Sequence, residues 1–392
     1  MALNFPESKK ILLRVDYNVP IQDGQILDFT RINASLPTIK YLLEKKSKII
    51  LMSHLGRPKH KEEKYSLKIL IDPLEKLLNK EVVFFKNIQN TDQSAHNKLS
   101  NNQIGLLENL RFYSGETNNS IEFCRQLARY GDIYINDAFG ASHRAHASTS
   151  GIHKFFKNKK YKGILLDTEL NQLSKLKNNP VNPYTIIVGG SKIGSKIHLL
   201  KAFLNVADNI IIGGGMAFPF IKYLGGLIGK SLCEDEELEV VKSFLIKSKA
   251  SKTKILLPLD SVITSSISKK SNIQITDIQN IPDSFMGVDI GPKSLNCFKE
   301  IINNSKLIMW NGPMGISEIE EFSNGTRLLA EIIKKRTLSG SYSLIGGGDT
   351  VSDITRFGHQ QSFSYVSTGG GAMLDFFKNE NLPGIIDLKP IK

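Results

Sequence analysis

Two groups of residues in this chain are suited by type and spacing to holding small anions. The first is SYSLIGGGDTVSD, residues 341–353, where an apolar strand runs into a glycine triplet, an acid and a hydroxyl before a helical pattern begins. Backbone N–H groups with no side chain in the way can press against an anion there, and Asp349 can meet a metal ion. No lysine follows the glycines, so this is not a Walker A loop. The second group is a set of arginines. Of the 51 basic residues only ten are Arg; seven of these precede residue 150, and none lies between Arg144 and Arg327. A lysine-rich chain that concentrates arginine in one half points to places where a planar, two-pronged donor matters.

The elements that must position these residues follow from the apolar pattern. In the first half, ILLRVDYNVP (11–20), KIILMSHLGRP (48–58), IGLLENLRF (104–112) and DIYINDAFGASHRAH (132–146) are strand-type runs that end in polar, basic or glycine residues. Segments 34–46 and 68–78 between them carry apolar residues at helical spacing. Alternating strands and helices imply a parallel sheet covered on both faces, with polar groups gathered beyond the C-terminal strand ends. Those groups are Asp16, Asn18, His54, Arg57, Arg111 and Arg144, with Arg31 placed to join them just before a helix. So many arginines suit a ligand with a phosphate and a carboxylate. The second half repeats the device with glycine: PYTIIVGGSKIGSK, DNIIIGGGMAF, KLIMWNGPMG, SYSLIGGGDT and FSYVSTGGGA each end an apolar run in a glycine turn. Such junctions fit a second doubly wound sheet with a nucleotide at its strand ends.

The totals agree. A chain of 392 residues exceeds one ordinary core, so two domains are expected, and 41% hydrophobic with 23% charged residues excludes disorder. YKGILLDTELNQLSKL (161–176) reads as a helix and KNNPVNP (177–183) as the breaker after it, which places the domain boundary there. The N-terminal residues lack a signal peptide's apolar core, and no apolar run approaches the length of a membrane span, so a cytoplasmic location is expected. Three distant cysteines, Cys124, Cys233 and Cys297, fit buried, reduced thiols. The net charge of +13 leaves open a nucleic-acid-binding or scaffolding role, which would show a steep salt dependence but leaves the glycine turns unexplained. A dehydrogenase reading lacks the GxGxxG fingerprint, and GGLIGKS (225–231) has the wrong spacing for a P-loop.

RVDYNVP, SHLGRP, LLENLRF, HRAHAST, VGGSKIGSK, GGGMAF, GKSLCEDE, WNGPMG, GGGDT and STGGGA resemble the successive signatures of the phosphoglycerate kinase family, in the family's order, between residues 11 and 372. The resemblance implies reversible, in-line phosphoryl transfer between 1,3-bisphosphoglycerate and ADP, giving 3-phosphoglycerate and ATP, by a monomer that binds neither nucleic acid nor membrane. It implies an α/β fold of two doubly wound, Rossmann-like domains facing each other across a cleft and joined by a hinge helix. The 3-phosphoglycerate domain would be residues 1–165 plus 376–392, and the nucleotide domain 166–375. Matched by motif, the substrate site would be Asp16, Tyr17, Asn18, Arg31, His54, Leu55, Gly56, Arg57, Arg111 and Arg144. The nucleotide site would be Lys192, Lys196, Gly287, Glu318, Gly347, Gly348, Asp349 and Thr350, with Asp349 the contact for Mg2+. Arg31, Lys192, Gly347 and Gly370 would neutralise the transferring group, and His54, His143 and His146 would position ligand or structure rather than move protons. The chain departs from the family pattern at Tyr17, at GISE before and at Glu318, in AMLDFF after STGGGA, and at Pro219, which removes a backbone donor from its turn.

Overall fold

The computed structural model describes residues 5–88, 99–178, 180–194, 196–267 and 272–391. Asn179 in the breaker segment, Ser195 in the first glycine turn and the first four residues lie outside them. The chain divides into two compact units, Met1–Asn171 with Asn379–Lys392, and Gln172–Lys378.

The first unit is built on a seven-stranded sheet, parallel throughout. Its spatial order is Lys389–Pro390, Lys160–Lys162, Ile133–Asn136, Lys10–Arg14, Lys48–Met52, Ile104–Leu107, Val82–Phe85. The central strands are almost wholly buried because helices cover both faces. Successive side chains therefore enter opposite cores. Ile11, Leu13, Ile49 and Leu51 pack with Ile32, Ile39 and Leu42 of the helix Thr30–Glu44. Leu12, Ile50 and Met52 pack with Phe123, Cys124 and Leu127 of the helix Ile121–Ala128. Thr30–Glu44 starts four residues earlier than its apolar pattern indicates because Asp28 Oδ1 accepts from Thr30 N at 2.8 Å and Thr30 Oγ1 at 2.6 Å. Arg31 thereby falls in its first turn. The chain leaves Lys10–Arg14 toward Lys48–Met52 on one side, while Ile133–Asn136 flanks it on the other, so these strand ends form a topological switch point.

The second unit has a six-stranded parallel sheet in the order Lys254–Leu256, Asn209–Ile212, Tyr184–Val188, Leu307–Asn311, Tyr342–Gly346, Tyr365–Val366. Numbered along the chain this is 3-2-1-4-5-6, with the switch point between Tyr184–Val188 and Leu307–Asn311. Both expected doubly wound sheets are therefore present. An antiparallel sheet of Ile273–Asp277, Asp260–Thr264 and Met286–Ile290, not anticipated from the sequence, is added to the second unit.

Local differences from the sequence reading have simple causes. The helix expected over 161–176 runs Ile164–Lys177, because Tyr161 and Lys162 belong to the strand Lys160–Lys162 that pairs with Ile133–Asn136. The chain returns to the first unit at Asn379 rather than 376; Phe376 and Phe377 are buried in the second unit, where Phe377 stacks edge-on against Phe203 at 4.8 Å. Pro219 stands at the start of the helix Phe218–Tyr223, where a helix has no use for the missing N–H. Of the three free cysteines only Cys124 is fully buried.

Candidate active site

In the first unit the C-terminal strand ends bring arginines together. Arg14, the last residue of its strand, is 1% exposed. It donates through Nη2 to His54 Nδ1 at 3.0 Å, through Nε to Ser148 Oγ at 2.9 Å, and through Nη1 to the carbonyl of Val15. Arg31 Nη1 meets Asp16 Oδ2 at 2.5 Å. Asn18 Oδ1 accepts from Gly56 N at 2.7 Å, and Arg111 Nη1 donates to the Gly56 carbonyl. Gly56 has φ +62°, and a Cβ there would lie 2.4 Å from the Tyr65 ring, so only glycine brings this loop so close. Arg57, Arg111, Arg144 and His146 line an open cavity of about 630 Å3 with Lys59, Ser114 and Thr117.

Two of the expected substrate residues are placed otherwise. The Tyr17 side chain is buried in the core, its hydroxyl 3.0 Å from Ser35 Oγ, and burial pushes its pKa upward. Leu55 is buried, and Asn109 holds both its N–H and its carbonyl. Sequence reasoning missed Arg14, Asn109, Glu116 and Ser148, which hold the site from below. Glu116 is buried and accepts from Ser148 N at 3.0 Å and Ser148 Oγ at 2.7 Å.

The electrostatics are those of a site short of negative charge. Burial, and then Arg14, Arg111, Arg144 and Arg31, hold His54 well below the ordinary imidazole value. His146 is lowered to about 4 by burial and then by Arg111, Arg144 and Arg14. Arg111 is itself lowered to about 10, by burial and then by Arg144 and Arg14. Both histidines are neutral near pH 7 and are weak bases, which suits positioning better than proton transfer.

In the second unit the glycine turns gather at the switch point. Lys196 Nζ donates to the carbonyls of Gly189 at 2.7 Å and Asn311 at 3.3 Å. Gly312, at φ +101°, leaves the room this needs, since a Cβ there would lie 2.3 Å from Lys196 Nζ. Burial lowers the Lys196 pKa to about 8, opposed by Asp349. Gly347, at φ +93°, caps the helix Gly348–Arg356, whose first turn carries an exposed Asp349. Thr350 is buried, and its Oγ1 accepts from Gly312 N at 2.6 Å, tying the helix start to the neighbouring strand end. Gly370, at φ +51°, precedes the helix Gly371–Lys378. Lys192 is exposed and ion-paired with Glu234. A cavity of about 420 Å3 in this unit is lined by Gly190, Gly214, Phe218, Gly287, Met314, Glu318 and Asp349, among others. It brings together Gly287, Glu318 and Asp349 of the expected set; Lys192, Lys196, Gly347, Gly348 and Thr350 lie outside its lining.

The second unit thus offers an apolar slot beside glycine turns and lysines, and the first a basic face at its own strand ends, each suited to an anionic ligand. Comparisons with known proteins identify the family. The profile of the phosphoglycerate kinase family matches residues 3–380. The phosphoglycerate kinase of Thermosipho africanus is 43% identical over 387 residues, spanning 97% of this chain and 95% of that protein. The structure of the Coxiella burnetii phosphoglycerate kinase superposes with a TM-score of 0.86 at 37% identity, covering 98% of this chain and 96% of that one. The Pyrococcus horikoshii enzyme gives 0.80 at 29%, with the same coverage. Motif order, paired parallel sheets and full-length similarity together place this chain in the phosphoglycerate kinase family.

Proposed function

We propose that the arginine-lined end of the first unit holds the phosphoglycerate, that the glycine-lined end of the second holds the nucleotide, and that the phosphoryl group passes directly between them. Family membership makes the chain a glycolytic kinase with a carboxyl group as acceptor. The observation that carries the assignment is the gathering of Arg14, Arg31, Arg57, Arg111 and Arg144 at one set of strand ends, where burial and then their mutual charge lower His54, His146 and Arg111. A ligand with a phosphate at one end and a carboxylate or acyl phosphate at the other relieves that charge and is oriented by forked donors.

The reaction needs no general base. The nucleophile is an already anionic oxygen of ADP and the leaving group a carboxylate, so the barrier falls to alignment and charge neutralisation. Arg31, anchored by Asp16, supplies a fork from one unit. Lys192, Lys196 and backbone N–H groups at Gly347 and Gly370 supply charge and dipoles from the other. For Lys192 this means exchanging Glu234 for phosphate oxygens. Asp349 is exposed and its carboxylate has no hydrogen-bond or ion-pair partner among the described residues, which fits Mg2+ held by one carboxylate, waters and nucleotide oxygens. Bound there, the ion would offset phosphate charge. Free small molecules, rather than nucleic acid or a membrane, are the partners of this reading; no helix among the described residues is long and apolar enough to cross a membrane.

Calorimetry tests the division of labour. Arg111→Ala is expected to weaken 3-phosphoglycerate binding at least about tenfold while leaving ADP binding intact, and Lys196→Ala the reverse. Equal loss of both ligands in either variant would refute it.

A further inference from the structure

We infer that Glu116, which lies beneath the basic face, is a positioning residue for the phosphoglycerate site: through Ser148 and Arg14 it fixes the His54 ring in the tautomer with its proton on Nε2. The inference rests on the assignment of phosphoglycerate to the first unit.

The argument follows hydrogens along the chain of contacts. Glu116 accepts at both oxygens, from Ser148 N at 3.0 Å and Ser148 Oγ at 2.7 Å, as an ionised carboxylate does. The single hydroxyl hydrogen of Ser148 is thus committed to Glu116, and its oxygen is left to accept from Arg14 Nε at 2.9 Å. The guanidinium is planar, so anchoring Nε on Ser148 and Nη1 on the Val15 carbonyl sets the direction of Nη2. Nη2 lies 3.0 Å from His54 Nδ1. A guanidinium only donates, so Nδ1 must accept and the ring proton stands on Nε2.

The charges around the chain agree. His54 faces Arg14, Arg111, Arg144 and Arg31, all of which disfavour a second ring proton. Burial pushes the Glu116 carboxyl above the ordinary carboxylate range, opposed by Arg14, by its two bonds from Ser148 and by Arg111, and His146 Nδ1 lies 3.8 Å from its Oε1. Removing the Glu116 charge leaves Arg14 buried without its offset and releases its hold on His54. The backbone beside the ring is held separately, since Ser53 Oγ accepts from Tyr17 N at 2.8 Å and donates to the His54 carbonyl at 3.3 Å. The loop can therefore stay while the ring changes.

The test uses full-length protein labelled with 15N-histidine, with His54 assigned by loss of its signals in His54→Gln, and steady-state kinetics on the same variants. Wild type is expected to show His54 only as the Nε2–H form from pH 5 to 8. Glu116→Gln is expected to bring in the Nδ1–H form and to raise KM for 3-phosphoglycerate about tenfold, with KM for ATP changed less than about twofold. Ser148→Ala breaks the same relay while keeping the carboxylate, so it gives the same readouts if Glu116→Gln does not fold. The double variant should be no worse than the worse single one. An unchanged His54 tautomer in both variants overturns the relay, whatever happens to KM. A changed tautomer with unchanged KM for 3-phosphoglycerate overturns the positioning role, and the calorimetry of Arg111→Ala then tells whether the assignment of that ligand to this unit falls with it.

Discussion

With Lys196 facing the nucleotide phosphates, as proposed, binding is sensitive to pH in a way that can be worked out in advance. Its ammonium is largely buried, donates to the Gly189 and Asn311 carbonyls, and has its pKa lowered to about 8 by burial. An incoming phosphate favours the charged form, so it raises this pKa, and binding takes up protons wherever the free protein has lost them. The sign is fixed: affinity is full well below pH 8, has begun to fall at pH 8 and is lost as pH rises above it. At pH 7 about nine-tenths of the Lys196 side chains are charged and at pH 9 about one-tenth, so the Kd for ADP should rise about tenfold between those values. At pH 8 about half a proton should be taken up per ADP bound, readable by calorimetry in buffers of different ionisation enthalpy. Phosphate groups with a second pKa of about 6 are ionised across this range and do not mask the effect. Lys196→Met should bind ADP weakly at pH 7 and show no slope. A wild-type Kd that does not change from pH 7 to 9, or a slope that survives in Lys196→Met, would refute the assignment of Lys196 to the phosphates.

Other consequences are simpler to measure. Arg31→Lys keeps the charge but loses the fork; kcat in a coupled assay should fall by about tenfold or more, and wild-type turnover would show that a point charge suffices. Thr350→Val leaves Gly312 N–H buried with no acceptor, at a cost of about 1–3 kcal/mol in denaturant unfolding, together with weaker ADP binding as the strand end loosens. Gly163→Ala places a Cβ 2.1 Å from Asp137 Oδ1, beneath the start of the helix Ile164–Lys177. Overpacking of about 1–3 kcal/mol should appear as a lowered melting temperature, with calorimetric ADP binding by the second unit retained.

How much of this was legible in the sequence depends on where each residue points. Parallel strands covered on both faces read as unbroken apolar runs, so KILLR and KIILM declare themselves, and a polar residue that ends such a run stands at a strand end by necessity. That is why the sequence alone places Asp16, His54 and Arg57 beyond the ends of their strands. The strand Ile273–Asp277 left no such mark, because it is exposed almost throughout and its apolar residues alternate with Gln and Thr. Tyr161 was read into a helix because its spacing to Ile164 and Leu165 fits one, and only the neighbouring strand Ile133–Asn136 decides otherwise. Tyr17 belongs to a motif that ends in the site, yet its own ring packs inward against Ser35. The deepest gap concerns the groups that hold the arginines in place. Ser148 is 134 residues from Arg14 and 32 from Glu116, and neither separation leaves any local pattern. Residues that face a ligand must interrupt an apolar run and so are visible, whereas a buried carboxylate that offsets them sits in an ordinary polar segment such as SGET. In an anion site assembled at strand ends, the charges that meet the ligand can therefore be read from sequence, and the charge that keeps them aimed emerges only from the folded chain.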